Sequence, residues 1–468
     1  MEFHKLTASE IAQGIKQQTF SATEVTQSIL EQADHVQDTH NPFVTLDHEG
    51  AMALARTIDN SKDQKDLPFL GVPFTAKDLL DSANLRTTYG SNALSNNIPH
   101  TDTAAIERMR SAGAILIGKT TTPEFATQIR TDSLLCGVTT NPWNASLSPG
   151  GSSGGAGVAV ATGASPLDVS TDGAGSSRVP ASACGILGMK PTLGSIPHET
   201  WPFHYGNNST ISINARSPQD LVAGFNIMMG PHSLDPWSRR PRAKLSSSRP
   251  SQDRQRKILY LPTNGGLKAD KEVLASTSNM LTKLEHYGYH IDESHEDLTK
   301  FDPSIVPRLM TCNLAARFRK MTEAQQALLN PVLKPLLDES QYTQDAVVLQ
   351  TEAIERSQLY DRVETLFLSY DLIVTPTLAA KPPSADPNSD GSISVNGQVL
   401  GLASWWTHLG LANMTGHPAI SIPCGTFADN LPIGLQAVGK WDGEQELVDL
   451  ALDVSLIEHW QQRWPTLI

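Results

Sequence analysis

The sequence has no paired cysteines, no long apolar run and no surplus of positive charge. Its four cysteines, Cys136, Cys184, Cys312 and Cys424, are scattered and form no C-x-x-C pair. That spacing indicates neither a disulfide framework nor a zinc site. No apolar run approaches the ~18 residues that a helical membrane span needs. The opening MEFHKLTASEIAQGIKQQ is polar and helical in pattern, unlike a secretory signal. A soluble, cytoplasmic chain with no membrane partner is therefore expected. Lysine and arginine total 36 against 49 aspartates and glutamates, a formal net charge of −13. A phosphate-binding face needs clustered cations, so nucleic acid is not an expected partner.

Histidine and cysteine are also missing from the stretch that raises the sharpest question. TDGAGSSRVP, residues 171–180, sets Ser176 and Ser177 behind three small residues, with no His or Cys beside them. A hydroxyl is a poor nucleophile until something accepts its proton. If one of these serines reacts, the acceptor must come from elsewhere in the chain.

What is present is an alternation of strand and helix patterns. Thr7 with Glu10 and Ser21 with Glu24 have capping-box spacing, and residues 7–60 read as helices. Short apolar runs at 114–118, 257–262, 371–376, 419–423 and 434–439 read as strands buried on both faces. Residues 103–113 read as a helix closed by Gly113. The expected fold class is α/β, with a large mixed, mainly parallel-type β-sheet covered by helices on both faces. Residues 233–257 hold Pro, Ser and the basic cluster Arg239, Arg240, Arg242, Lys244, Arg249, Arg254, Arg256 and Lys257. They read as an exposed connection, with docking of an acidic partner as the sharper alternative.

Three motifs tempt and fail. GAILIGKT, 113–120, fits the P-loop spacing, but its middle residues suit a buried strand and not a phosphate-cradling loop. GGSSG, 150–154, fits the nucleophile elbow, but NPWNASLSP before it is no strand. His286, His290 and His295 cluster, but Gly288 interrupts the helix that would align them as metal ligands, so solvated histidines are expected.

Three further segments belong together: GVPFTAKDLLDS with Lys77, SPGGSSGGAGVAVATG with Ser152 and Ser153, and TDGAGSSRVPAS with Ser176. Singly, each has a bland reading: a surface lysine, a flexible tract and a tight turn. Together they resemble the amidase signature hydrolases, including the 24-position interval from Ser152 to Ser176. TTNPWN, TGHPAISIPCG and LPIGLQAVG extend the resemblance over nearly the whole chain. It is weakest from about 230 to 370.

The resemblance implies a Ser–Ser–Lys triad. Ser176 would be the nucleophile, Ser152 the bridge and Lys77 the base, made neutral by desolvation. Backbone N–H groups of Gly173, Ala174, Gly175 and Ser176 would form the oxyanion hole. Ser153 would orient the network, and Asp172 and Arg178 would form a structural ion pair. The bridging serine would follow a cis bond, Gly151–Ser152. No cofactor and no metal are implied, and the partner is a small-molecule amide. A homodimer is possible among such relatives. The chain would be one unit: a helical segment at 1–65, the catalytic core at 66–230, a variable helix-rich segment at 231–370 that shapes the substrate pocket, and 371–468 completing the sheet. Loops near 125–137 and 200–212 would also shape that pocket. Ala174 departs from the family's usual glycine, which matters only if that backbone needs a positive φ. Ser177 replaces a β-branched aliphatic residue and is the rival nucleophile. The implied activity is hydrolysis of a carboxamide or N-substituted amide. The alternatives are a glutaminase subunit of a tRNA-dependent amidotransferase, against which Val179 stands where that subfamily has Gln, and a catalytically silent binding protein.

Overall fold

A computed structural model describes residues 1–61, 66–199, 204–239, 243–248, 255–263, 266, 268–338 and 346–466. Eleven strands form one sheet. In chain order they are β1 Phe43–Leu46, β2 Pro73–Lys77, β3 Ile115–Thr120, β4 Leu167–Asp172, β5 Leu187–Lys190, β6 Thr210–Ala215, β7 Arg256–Tyr260, β8 Tyr289–Glu293, β9 Leu372–Pro376, β10 Ala419–Thr426 and β11 Pro432–Gly439. Their spatial order is β1-β3-β2-β4-β6-β5-β10-β11-β9-β7-β8.

The sheet is mixed, as the alternating pattern suggests. Parallel pairing lies in two blocks, β3-β2-β4 and β9-β7-β8, and pairing across the centre between them is antiparallel. Strands β2, β3, β4, β5, β6 and β9 are buried throughout, and several carry buried polar side chains, among them Lys77, Asp168, Asp172 and Asn214. Both N-terminal capping boxes form, starting helices Ala8–Lys16 and Ala22–His40. Each satisfies two otherwise unpaired amides.

Three readings of the sequence are corrected. Residues 7–60 are not helical throughout, because Phe43–Leu46 is a four-residue edge strand antiparallel to β3. Its register, set by a partner more than seventy positions away, leaves no local period to read. The helix-rich segment at 231–370 also contains β7 and β8. The basic stretch is not simply exposed: Arg256 is buried in β7 and ion-paired with Asp449, and Arg239 pairs with Asp442 at 2.6 Å. Arg240, Arg242, Arg249 and Arg254 lie outside the described residues, and Lys244 and Lys257 are exposed.

The rejected motifs behave as their composition indicates. Most of GAILIGKT is β3. His290 and His295 are exposed beside Asp292 and Glu293. Among the described residues, no group of three His, Cys, Asp or Glu side chains is placed to hold a metal. No described helix is long and apolar enough to cross a membrane.

Candidate active site

Two adjacent parallel strands bring the site together. Lys77 ends β2 and Asp172 ends β4, and these strands pair through Thr75–Asp168 and Ala76–Val169. Carboxyl ends of parallel strands are the usual place for a ligand site in open α/β sheets. Two short buried helices, Gly154–Ala161 and Arg178–Cys184, lie side by side beneath this end. Their close approach requires small residues. A Cβ on Gly157 would come within 2.9 Å of the Pro180 side chain. Ser152 and Ser153 enter the first helix, and Ser176 and Ser177 enter the second. The helix pair therefore fixes the spacing of both serine loops.

Lys77 is fully buried, and its Nζ is hydrogen-bonded to Ser152 Oγ at 2.7 Å. Burial pulls the Lys77 amine down to about 7, against the opposing pull of Asp172 and Asp168. Ser152 is buried and follows the one cis peptide among the described residues, Gly151–Ser152. Thr131 holds this loop, donating to the Gly150 carbonyl at 2.8 Å and accepting from the Gly154 amide at 3.1 Å. Ser153 donates its amide to the Ser176 carbonyl at 3.1 Å and its hydroxyl to the Thr171 carbonyl at 3.3 Å. It therefore ties the two loops together.

Ser176 lies beside a cavity of about 230 Å³ that Ser152 also lines. Its side chain makes no hydrogen bond among the described residues, and none joins Ser152 Oγ to Ser176 Oγ in this arrangement. Ser177 is different: it is fully buried and donates to Asn214 Oδ1 at 2.9 Å. Of the four backbone amides singled out in the sequence, Gly175 N–H donates to Asp172 Oδ1 at 2.7 Å. The amides of Gly173, Ala174 and Ser176 have no partner among the described residues. The left-handed residue is Gly175, at φ +111, while Ala174 is outside that region, so its Cβ is tolerated. A Cβ at Gly175 would also meet Leu409 at 2.7 Å.

Asp172 and Arg178 form a two-pronged buried ion pair at 2.9 and 3.0 Å. Burial alone would raise the Asp172 carboxyl, but the Arg178 guanidinium and the Gly175 amide hold it well below the usual range. Arg178 also donates to Leu409 O, Gln436 Oε1 and Asn413 Oδ1. Asn413 in turn donates to the Asp172 and Asn208 carbonyls. The pair thus locks the serine loop to segments more than two hundred positions away. Removing one member leaves the other charged and buried without a partner. Arg178→Ala is expected to lower unfolding stability by about 3–5 kcal/mol, measured by urea denaturation. A loss within the ordinary range of a surface substitution would contradict this role.

Several residues of the site have weak signals in the sequence. Asp168 lies below Lys77 and accepts from Thr75 at 2.8 Å, Thr120 at 3.0 Å and Ser170 at 2.5 Å. Burial pushes its carboxyl up to about 6. A carboxylate flanked directly by the apolar Leu167 and Val169 is the signal that marks it. Tyr89, Phe125, His198, Met310 and Arg317 line the same cavity. Of the loops expected to shape it, 125–137 contributes Phe125 and Ala126, and 200–212 contributes Asn208 and Ser209. Residues 200–203 lie outside the described residues.

Known proteins resemble this chain over nearly its whole length. The family model described as Amidase matches residues 24–448. The chain is 30% identical to an acylamidase of Rhodococcus erythropolis, covering 99% of this chain and 97% of that enzyme. It is 28% identical to the A component of the glutamyl-tRNA(Gln) amidotransferase of Natranaerobius thermophilus, over 96% and 95% of the two chains. The fold matches a crystal structure of a bacterial aryl acylamidase with a TM-score of 0.89 at 23% identity, covering 99% and 98% of the two chains.

Proposed function

The chain belongs to the amidase family, and from that premise we propose that it cleaves the C–N bond of a small carboxamide or N-substituted amide through an acyl-enzyme on Ser176. The observation that carries this reading is the buried Lys77–Ser152 hydrogen bond beside a cavity onto which Ser176 opens. An amine near neutrality accepts a proton, which a lysine at its ordinary pKa of ~10.4 does poorly.

The reaction runs in two halves. Ser176 Oγ attacks the amide carbonyl while its proton passes to Ser152, whose own proton passes to Lys77. The free Ser176 hydroxyl turns toward Ser152 for this step. The carbonyl oxygen becomes an oxyanion held by the amides of Gly173, Ala174 and Ser176. One such donor is typically worth about 3 kcal/mol. The Gly175 amide, engaged with Asp172, fixes the shape of the loop. The C–N bond then breaks, Ser152 protonates the departing amine and Lys77 returns a proton to Ser152. Water attacks the acyl-enzyme by the same route, releasing the acid and restoring Ser176.

The relationship to an amidotransferase component favours a second reading, a glutaminase that acts within a complex. Val179 speaks against it, standing buried among apolar side chains where that subfamily has Gln. The test is hydrolysis of chemically diverse amides by the purified chain, with and without tRNA and ATP. We expect turnover by the chain alone, unchanged by either addition. Turnover that appears only with tRNA and ATP would support the second reading.

A further inference from the structure

The cavity beside Ser176 contains an uncommitted positive charge. Arg317 lines it from the last turn of helix Ile305–Phe318, where the helix dipole favours a cation. Its guanidinium carbon lies 4.6 Å from the Tyr89 ring centroid and 5.1 Å from that of Phe125. A guanidinium carries five N–H donors. The Tyr89 hydroxyl beside it takes at most one of them. No described carboxylate forms an ion pair with Arg317.

The two acidic groups of the cavity each accept a hydrogen bond, while Glu199 Oε2 has no partner among the described residues. Asp81 accepts from the Tyr89 hydroxyl at 2.9 Å. Glu199 accepts from the Ala104 amide at 2.9 Å and lies 3.2 Å from His232 Nδ1. Burial holds His198 near 4, so its imidazole adds no charge at neutral pH.

The aromatic shelf under Arg317 is built at some cost. Tyr89, Phe125 and Ala126 have φ of 57°, 52° and 61°, a left-handed backbone that side chains other than glycine rarely adopt. Such strain persists where surroundings enforce it, and it clusters at ligand sites. The Phe125 amide donates to the Tyr89 carbonyl at 2.8 Å, and Phe318 packs edge-on against Phe125 at 5.1 Å. The shelf and the helix that carries Arg317 therefore support each other.

We propose that Arg317 binds a carboxylate carried by the substrate, so that the preferred substrates are amides bearing a second, anionic group, half-amides of dicarboxylic acids being the simplest. This rests on the amide hydrolysis proposed above and adds a substrate class to it. A charge-assisted contact of this kind separates a ligand from its neutral counterpart by about 10- to 100-fold.

The test begins with binding, which does not depend on turnover. Ser176→Ala protein is titrated calorimetrically with a series of dicarboxylic half-amides and with neutral monocarboxylic amides of equal chain length. At least one half-amide is expected to bind ~10-fold or more tighter than its neutral counterpart. Arg317→Met in the same background is expected to remove that preference, and Arg317→Lys to restore part of it. In the active protein, Arg317→Met is expected to lower the ratio of kcat/KM for the half-amide over the neutral amide by about 10- to 100-fold. Equal binding of both series, or a preference that survives Arg317→Met, overturns the inference. A preference lost with Arg317, but without hydrolysis of any half-amide by the unsubstituted chain, supports the carboxylate site and overturns the hydrolase reading.

Discussion

Ser176→Ala is expected to lower amide hydrolysis by roughly 10⁵- to 10⁶-fold, the loss typical when a triad nucleophile is removed. The expectation rests on the different settings of two neighbouring hydroxyls. Ser176 faces the cavity with its hydroxyl free, whereas Ser177 is buried and donates to Asn214. Ser177→Ala is therefore expected to cost no more than about 10-fold, by disturbing a loop and not by removing a bond-forming atom. Steady-state rates with one amide distinguish these cases. A fluorophosphonate probe read by peptide mass spectrometry locates the adduct independently. Label on Ser177, or full activity in Ser176→Ala, would displace Ser176 from its role.

Lys77→Met is expected to lower kcat by roughly 10³- to 10⁴-fold, within the upper range for loss of a general base. The pH profile carries the more specific signature. With the amine at about 7, wild-type kcat/KM should rise about tenfold per pH unit below that value and level off above it. The rising limb should vanish in Lys77→Met. Stability should also rise with pH, but over a higher window. The amine titrates near 10.4 when unfolded and about 7 when folded, so the unfolded chain binds the extra proton between these values. Wild-type stability on this account rises with pH across that window, and Lys77→Met lacks this dependence. A poorly active variant that is at least as stable as wild type near pH 7 would separate lost chemistry from lost folding.

The residues proposed for chemistry were legible because each sits in a short segment with strong local constraints. Lys77 closes a largely apolar strand, Ser152 sits in a tract of glycines, and Ser176 follows small residues that suit converging amides. Five of the eleven strands, β3, β7, β9, β10 and β11, were legible because apolar runs mark them, whereas β4 (LDVSTD) and β6 (TISINA) bury polar side chains and carry no such run. What holds the site was not. Arg178 meets Gln436 and Asn413, partners more than two hundred positions away that no local period announces. The left-handed backbone at Tyr89 and Phe125 was equally hidden, because the sequence marks such positions only where glycine occupies them. Edge strand Phe43–Leu46 is too short for a period to register and is defined by its pairing with β3.

The most direct measurement of the account is the titration of Lys77 itself, by NMR of ε-carbon-labelled lysine in the folded protein. Lys119 and Lys190 are also buried and held down to about 8 and about 7, so the resonance is assigned by its absence from Lys77→Met. The account predicts a Lys77 signal that titrates near pH 7. A Lys77 signal that stays that of a charged amine up to the ordinary value of ~10.4 would contradict it.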